Sequence, residues 1–168
     1  MTRTILTVPV AVLRPATDAD IDAISTIWHR GWADGHLGHV PSALVRHRGL
    51  DDFRSLVPAR IDTTTVATLG WGTVGFVTVH DDEVEQLYVD AAARGTGVAA
   101  ELLARGEAVI GARHDRAWLA VVAGNLRARR FYERTGWSDA GPIDHPAPTG
   151  GDNAIPVPAL RYEKRLSR

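Results

Sequence analysis

A short glycine-containing segment, residues 94–100, has the composition of a phosphate-binding loop. It reads Arg-Gly-Thr-Gly-Val-Ala-Ala, so Gly95 and Gly97 lie two positions apart and two alanines close the segment. A backbone with so little side chain can wrap closely around an anion and offer it several N–H donors at a helix N-terminus. The segment therefore predicts a site for a phosphate group, although it does not identify the molecule that carries the phosphate.

Two pairs of polar residues have spacings that place the members of each pair together. Glu83 and Glu85 are two positions apart in a stretch of alternating residues, so they point to the same face of a strand. Asn125 and Tyr132 are seven positions apart in a predicted helix, which is two turns, so they share one helix face. Carboxylates and a phenol are groups that can accept or donate a proton during a reaction.

The predicted elements around the loop explain how it would bind an anion. Residues 83–89 are rich in β-branched and aromatic side chains and predict a half-buried strand before the loop. Residues 97–111 have apolar side chains at helical spacing and predict a helix directly after it. The loop thus lies at the positive end of a helix, where a negative charge is stabilised.

The rest of the chain adds strands and helices to this unit. Strands are predicted at residues 10–14, 63–68, 73–80, 117–122 and 159–166. Helices are predicted from residue 17 onward, broken up by Gly31, Gly35 and Gly38, and at residues 42–57 and 125–135. Residues 141–158, rich in Pro, Gly and Asp, predict a long loop. This order, with an antiparallel meander in the middle, indicates a mixed α/β domain.

Composition limits the class of protein. The chain has 168 residues, 45% of them hydrophobic, which predicts one compact domain spanning residues 1–168. A net charge of −1 without a dense basic run argues against nucleic-acid or membrane partners. The absence of cysteine excludes disulfides, thiolate metal sites and cysteine nucleophiles. The apolar residues 5–13 are interrupted and lack a cleavage site, and no apolar run reaches the ~20 residues of a membrane span, so we expect a cytoplasmic protein.

Two separate motifs make the chain resemble the GNAT superfamily of acyl-CoA-dependent N-acetyltransferases. Residues 94–99 are similar to the pyrophosphate signature of that family. Residues 125–137 are similar to its second signature, a helix that ends Phe-Tyr-Glu-x-x-Gly-Phe, with Trp137 here in place of the final Phe. The resemblance covers residues 83–137 most strongly and implies a mixed, mostly antiparallel twisted sheet of about six to seven strands flanked by about four helices.

The resemblance also implies how acetyl-CoA is bound. The sheet would splay between its fourth and fifth strands, and the co-substrate would lie in that splay without a metal ion. The backbone of Leu87 and Val89 would pair with the pantetheine arm, and the loop would hold the pyrophosphate. The residues expected to bind the co-substrate are Leu87, Tyr88, Val89, Arg94, Gly95, Thr96, Gly97, Val98, Ala99, Ala100, Asn125 and Tyr132.

The implied reaction is direct transfer of an acetyl group from acetyl-CoA to a primary amine in a ternary complex. Tyr132 would act as general acid toward the CoA thiolate, and Glu85 or Glu83 as general base, with a slight preference for Glu85. The amine acceptor, a small molecule or a protein, is not identified. The first two helices shape the acceptor site in this family, so the candidate acceptor contacts are Trp28, Trp32, His36 and His39. For the tryptophans, core packing is the alternative interpretation.

Other interpretations stay open beside this one. Residues 95–100 also satisfy the Gly-x-Gly-x-x-Ala pattern of a dinucleotide-binding domain. Residues 90–94 separate the predicted strand from these glycines, whereas the dinucleotide-binding fold turns directly from the strand into them. A non-catalytic acyl-CoA sensor could share the fold. The seven histidines do not have the spacing of a metal-ligating helix. Family members are often dimers, so the resemblance includes a homodimer among the options.

Overall fold

One sheet of seven strands runs through the part of the chain that the computed structural model describes, residues 9–167. The strands are β1 (Val12–Pro15), β2 (Thr64–Leu69), β3 (Gly72–His80), β4 (Glu83–Val89), β5 (Arg116–Val121), β6 (Ser138–Gly150) and β7 (Asn153–Arg165). Their order in the sheet is β1-β2-β3-β4-β5-β7-β6. Neighbouring strands are antiparallel except β4 and β5, which are parallel. This is the mixed, mostly antiparallel α/β architecture that the sequence predicts.

Helices cover both faces of the sheet. They are α1 (Ile21–His36), α2 (Ser42–Val45), α3 (Leu50–Leu56), α4 (Val98–Gly111) and α5 (Leu126–Arg134), with 3-10 turns at Asp18–Asp20, Pro58–Thr63 and Ala91–Ala93. Adjacent side chains of β3 point to opposite faces. Val77 therefore packs in the core beneath α4, whereas Phe76 packs in the core beneath α1 and α3. The sheet is buried between these two cores.

Helix α1 continues through two glycines that were expected to interrupt it. It runs unbroken past Gly31 and Gly35 and ends at His36. A β-carbon on Gly31 would lie 2.5 Å from Cδ1 of Tyr88, and one on Gly35 would lie 2.7 Å from Nδ2 of Asn125. The prediction of a break is wrong because these glycines allow a close approach to neighbouring side chains rather than a turn.

The single helix expected over residues 42–57 is in fact two short helices, α2 and α3. Turn hydrogen bonds follow α2, with the Arg48 amide donating to the Val45 carbonyl. Gly49 then begins α3, where its amide donates to a carboxylate oxygen of Asp52 at 2.8 Å. That contact caps the start of a new helix. The division brings Arg48, which lies between the two helices, toward the interior.

The long loop expected over residues 141–158 is a β-hairpin formed by β6 and β7. The strands pair from Ser138 with Glu163 to Gly150 with Asn153. Prolines occur in both strands, and Pro146 faces Pro156. Proline is tolerated because β6 is an edge strand and because β7 pairs with β5 only from Leu160 onward. The prolines that predicted a loop here lie instead in strand segments with an unpaired edge.

The parallel strands β4 and β5 separate soon after they meet. Their registered pairing is limited to Glu83 with Trp118, whereas β3 follows β4 along its whole length. The rest of β4 therefore has a free edge on the side of β5, as the resemblance implied. A sheet with one parallel pair does not have the doubly wound parallel architecture of a dinucleotide-binding domain, so that alternative is wrong.

The first eight residues and the last lie outside the described part of the chain, and residues 5–8 of the apolar stretch 5–13 considered above are among them. Within residues 9–167, none of the helices combines the length and the apolar character needed to cross a bilayer.

Candidate functional site

A cavity opens where β4 and β5 separate. Its walls come from β4, β5, α1, α5, the segment around α2 and the β6–β7 hairpin. Among the residues predicted from the sequence, those that line it are Trp28, Trp32, His36, Glu83, Glu85, Leu87, Tyr88, Asn125 and Tyr132. The proposed acid, both proposed bases and three of the four proposed acceptor contacts thus meet in one place.

Helix α1 presents one face to this cavity. Trp28, Trp32 and His36 are four positions apart in succession, so they lie along one side of the helix. The His36 ring stacks on Trp32 with 5.1 Å between centroids and 4° between planes. Both tryptophans are also buried in the core, at 3% and 6% exposure. The two tryptophans therefore both pack in the core and form part of the cavity wall. His39, by contrast, is exposed, outside the cavity, with its ring against Gly124.

The His36 imidazole is held neutral at physiological pH. Its Nδ1 lies 3.0 Å from the Trp32 carbonyl oxygen, so Nδ1 carries the proton that is donated and Nε2 is left as an acceptor. Burial lowers the pKa of His36 to about 4, and the positive charge of Arg48 and the neighbouring His39 act in the same direction. A neutral ring in this wall can accept a hydrogen bond.

Helix α5 contributes Asn125 and Tyr132 to the cavity, on the one face that their spacing predicted. Oδ1 of Asn125 accepts a hydrogen bond from the Ala128 amide at 3.2 Å and caps the helix. Burial raises the pKa of the Tyr132 phenol above its ordinary value, so the phenol keeps its proton across the neutral range. The ring packs near those of Phe131, Trp137 and Tyr162. Such a phenol is a positioned proton donor.

The two carboxylates of β4 share the predicted face but have different partners. Oε1 of Glu83 lies 2.9 Å from Nε2 of His145, a residue of β6. Oε1 of Glu85 accepts a hydrogen bond from Nε of Arg60 at 2.7 Å. Both pairs are largely buried, with side-chain exposures between 12% and 23%. Glu85 is therefore tied to a permanent cation, whereas Glu83 is oriented by an imidazole. These contacts favour Glu83 as the proton acceptor.

Arg48 is a charged residue of the cavity wall that the sequence reasoning did not single out. It is 8% exposed, and its guanidinium lies 5.7 Å from the centroid of Trp32 and 5.8 Å from that of Phe53. Its Nη1 donates to the carbonyl oxygens of His47 and Pro148, each at 2.8 Å. Burial lowers the pKa of this guanidinium below its ordinary value. The surrounding sequence shows only a polar turn between two short helices, so no local pattern could have identified it.

The glycine loop has the backbone that its sequence predicts. Gly95 and Gly97 have φ angles of 77° and 85°, a region that favours glycine, and a β-carbon at either position would meet no atom within 4 Å. Gly97 is the residue before α4, whose first amides have no partner within the helix. Nη2 of Arg94 pairs with Asp34 at 2.9 Å, and both side chains are exposed. The loop thus offers open backbone donors at the end of a 14-residue helix.

Strand β4 connects the loop to the cavity. Leu87 and Tyr88 line the cavity, and Val89 lies beyond it toward the loop. Burial, with the nearby Tyr132, raises the pKa of the Tyr88 phenol above its ordinary value. Within residues 9–167, no group of three or more His, Asp or Glu side chains is arranged to hold a metal ion.

Comparison with known proteins identifies the family to which this fold belongs. The chain belongs to the acetyltransferase (GNAT) family, whose model matches residues 21–137, more than half of the chain. A comparison with curated proteins found no match.

Three solved structures illustrate the similarity of fold. A GCN5-related N-acetyltransferase from Rhodopseudomonas palustris has a TM-score of 0.72 and 18% identity, over 98% of this chain and 100% of that one. The apo form of YjaB from Escherichia coli has a TM-score of 0.72 and 23% identity, over 94% and 99%. The PaiA N-acetyltransferase from Thermoplasma acidophilum, solved in complex with coenzyme A, has a TM-score of 0.67 and 13% identity, over 94% and 99%.

Proposed function

We propose that this protein transfers an acetyl group from acetyl-CoA to a primary amine, by direct attack in a ternary complex. The observation that carries the proposal is the meeting of Tyr132 and Glu83 in the cavity where β4 and β5 separate. Membership of the acetyltransferase (GNAT) family supports the same reaction. The absence of cysteine from the sequence agrees with direct transfer, because there is no thiol to form an acyl-enzyme.

The residues present fit acetyl-CoA. The free edge of β4 at Leu87 and Val89 suits the amide groups of the pantetheine arm, which can pair with it like an added strand. The open backbone at Gly95 and Gly97 suits the pyrophosphate, because helix N-terminal amides favour a negative group. Asn125, with Oδ1 used in the helix cap, retains its amide nitrogen as a hydrogen-bond donor.

Side chains of the cavity can then accept and donate the protons that the reaction transfers. Acetyl-CoA supplies a thioester, at whose carbonyl carbon a bond to the amine nitrogen forms while the bond to sulfur breaks. Glu83 accepts the proton that the amine nitrogen loses, and His145 keeps the carboxylate in position. Tyr132 gives its phenolic proton to the departing sulfur, and both groups recover their protonation states by exchange with water. Glu85 stays paired with Arg60.

Ligand-dependent thermal unfolding tests the proposal. The melting temperature is measured with acetyl-CoA, with NADH and with neither, and CoA thiol release is followed when amines are added. A ligand at ~100 times its Kd adds ~2.7 kcal/mol to the free energy of unfolding. We expect a rise with acetyl-CoA alone, and thiol release that depends on the amine. No rise with acetyl-CoA contradicts the proposal, whereas a rise without any amine-dependent release indicates an acyl-CoA sensor.

The protein itself suits this assay. A chain without cysteine contributes no thiol background. A Gly97→Val variant is the matched control, because valine at a φ of 85° would be strained and would disturb the loop while leaving the cavity side chains in place. We expect the acetyl-CoA shift to be reduced in this variant. Because the chain has no cysteine and a net charge of −1, we also propose that the reaction takes place in the cytoplasm.

A further inference from the structure

Arg48 is a buried charge whose partner is missing from the cavity wall. Its relative exposure is 8%, and among residues 9–167 no carboxylate lies within ion-pair distance, 4.0 Å, of its guanidinium. Asp52 acts on it only through space, since that carboxylate caps Gly49. A buried charge without a counter-charge is costly and is normally paired.

The guanidinium is incompletely used by the protein. Nη1 makes both of the hydrogen bonds that Arg48 forms within the described chain, to the carbonyl oxygens of His47 and Pro148. Nε and Nη2 make none there, yet no buried side-chain nitrogen or oxygen of these residues lacks a partner. Those two nitrogens therefore keep some accessible surface, and Arg48 is a lining residue of the cavity. The guanidinium also lies over the rings of Trp32 and Phe53, 5.7 Å and 5.8 Å from their centroids.

Arg60, by contrast, is an arginine of the same region that has a carboxylate partner. Its Nε is bonded to Glu85 and its Nη1 to the Leu56 carbonyl. Arg48 has only the carbonyl contacts and lacks the carboxylate. Two carbonyl acceptors would be served equally by a neutral donor, so the fixed positive charge is not explained by the contacts that hold the turn.

We propose that Arg48 binds an anionic group of the acceptor, so that the acceptor is a primary amine that also carries a carboxylate or a similar anion, as an amino acid does. The inference rests on the proposed function, because it names the substrate class of the same site. The cavity is complementary to such a molecule. Glu83 lies on β4 and can receive the amine, and Arg48 supplies the opposite charge on the α2–α3 side. A guanidinium with two free nitrogens can hold a carboxylate by two hydrogen bonds.

Matched pairs of acceptors test the inference on the unaltered protein. A panel of α-amino acids and β-alanine is compared with the corresponding carboxamides, and kcat/KM is measured by thiol release at saturating acetyl-CoA. The carboxamide has the more easily deprotonated amine, so amine basicity cannot favour the carboxylate. We expect the carboxylate member of the best pair to exceed its amide by about 10- to 100-fold, the range of a charge-assisted contact.

An Arg48→Gln variant with an Arg46→Gln control tests the residue. Arg46 is exposed on the same turn and does not line the cavity. We expect Arg48→Gln to remove the preference for the carboxylate, mainly through KM, while the acetyl-CoA thermal shift stays unchanged. Arg46→Gln should keep the preference. Because the discriminating quantity is a ratio between two acceptors, a loss of folded protein would not imitate the result.

The outcomes separate this inference from the proposed function. If acetyl-CoA does not raise the melting temperature, the proposed function is contradicted, and the inference that rests on it falls with it. If it does, and neutral amines are acetylated as well as or better than carboxylates, the inference is overturned and the acetyltransferase stands. A carboxylate preference that survives in Arg48→Gln also overturns it, because another group must then hold the anion.

Discussion

Oε1 of Glu83 lies 2.9 Å from Nε2 of His145, although 62 positions separate the two residues in the chain. Strands β4 and β6 are not neighbours in the sheet, since β5 and β7 lie between them. The contact exists because β7 leaves β5 at Leu160, which frees the far part of the hairpin to lie over the cavity. The same part of the hairpin receives the hydrogen bond from Arg48 at Pro148. The hairpin is thus a wall of the site.

Replacement of the carboxylates should separate a catalytic role from a structural one. We expect Glu83→Gln to lower kcat/KM for amine acetylation by about 10²-fold, because the amide cannot accept the proton. Glu85→Gln should lose stability more than activity, since it leaves Arg60 largely buried without its carboxylate. Thiol release and urea unfolding of both variants provide the measurements. A larger loss of activity in Glu85→Gln at normal stability would assign the base to Glu85.

Removal of the Tyr132 hydroxyl should reduce turnover without weakening binding. The raised pKa of this phenol keeps it protonated to a higher pH than a free tyrosine. We therefore expect wild-type turnover to show no loss from this group as the pH rises toward 10. For Tyr132→Phe we expect kcat to fall by about 10²-fold or less, with an unchanged acetyl-CoA thermal shift. Equal kcat in the two proteins would remove Tyr132 from the mechanism.

Gly31→Ala should destabilise the protein although alanine is the better helix former. The new β-carbon would lie 2.5 Å from Cδ1 of Tyr88. We expect a loss of about 1–3 kcal/mol in the free energy of unfolding, as for an overpacked core. Gly111→Ala is the matched control, because its β-carbon would lie at an ordinary 3.6 Å from Leu166. Urea unfolding that shows both variants equally stable would mean that Tyr88 can move aside.

Stability should fall as the pH is lowered through the range in which His36 titrates. The pKa of His36 is about 4 in the folded protein and ~6.5 in an unfolded chain, so the unfolded state binds more protons between these values. The contribution of neutral His36 is complete above about pH 6.5 and is lost progressively toward pH 4. We expect His36→Phe, which keeps the stacking on Trp32, to flatten this dependence in urea unfolding at several pH values.

The exposed His47 provides the control for this experiment. Because His47→Phe leaves the ring stacked on Trp32 untouched, its stability should vary with pH as in the wild type. An equal slope in wild type and His36→Phe would show that other groups account for the acid sensitivity. Asp20 and Glu163, whose carboxyl pKa values are lowered by arginine partners, remain in all three proteins and so cancel in the comparison.

Local sequence predicted the elements whose residues interact within a few positions. The strand Glu83–Val89 and the helix capped by Asn125 are found within a residue or so of their predicted bounds. Side-chain alternation and helix capping are local effects, so a single sequence reveals them. The hairpin at residues 141–158 also has a local signal, with Ile143, His145 and Ala147 half-buried and their even-numbered neighbours mostly exposed. Proline content obscured that alternation.

By itself, the sequence determined the family resemblance, the glycine loop and the shared faces of the Glu83–Glu85 and Asn125–Tyr132 pairs, because spacing within one strand or helix fixes which way side chains point. Only the tertiary structure decided which partner each carboxylate has, that α1 passes through Gly31, and that Arg48 lies buried beside Trp32. Those relations depend on how separate elements pack. The contacts of the two glutamates, for example, join residues that are 25 and 62 positions apart. No local pattern records such distances.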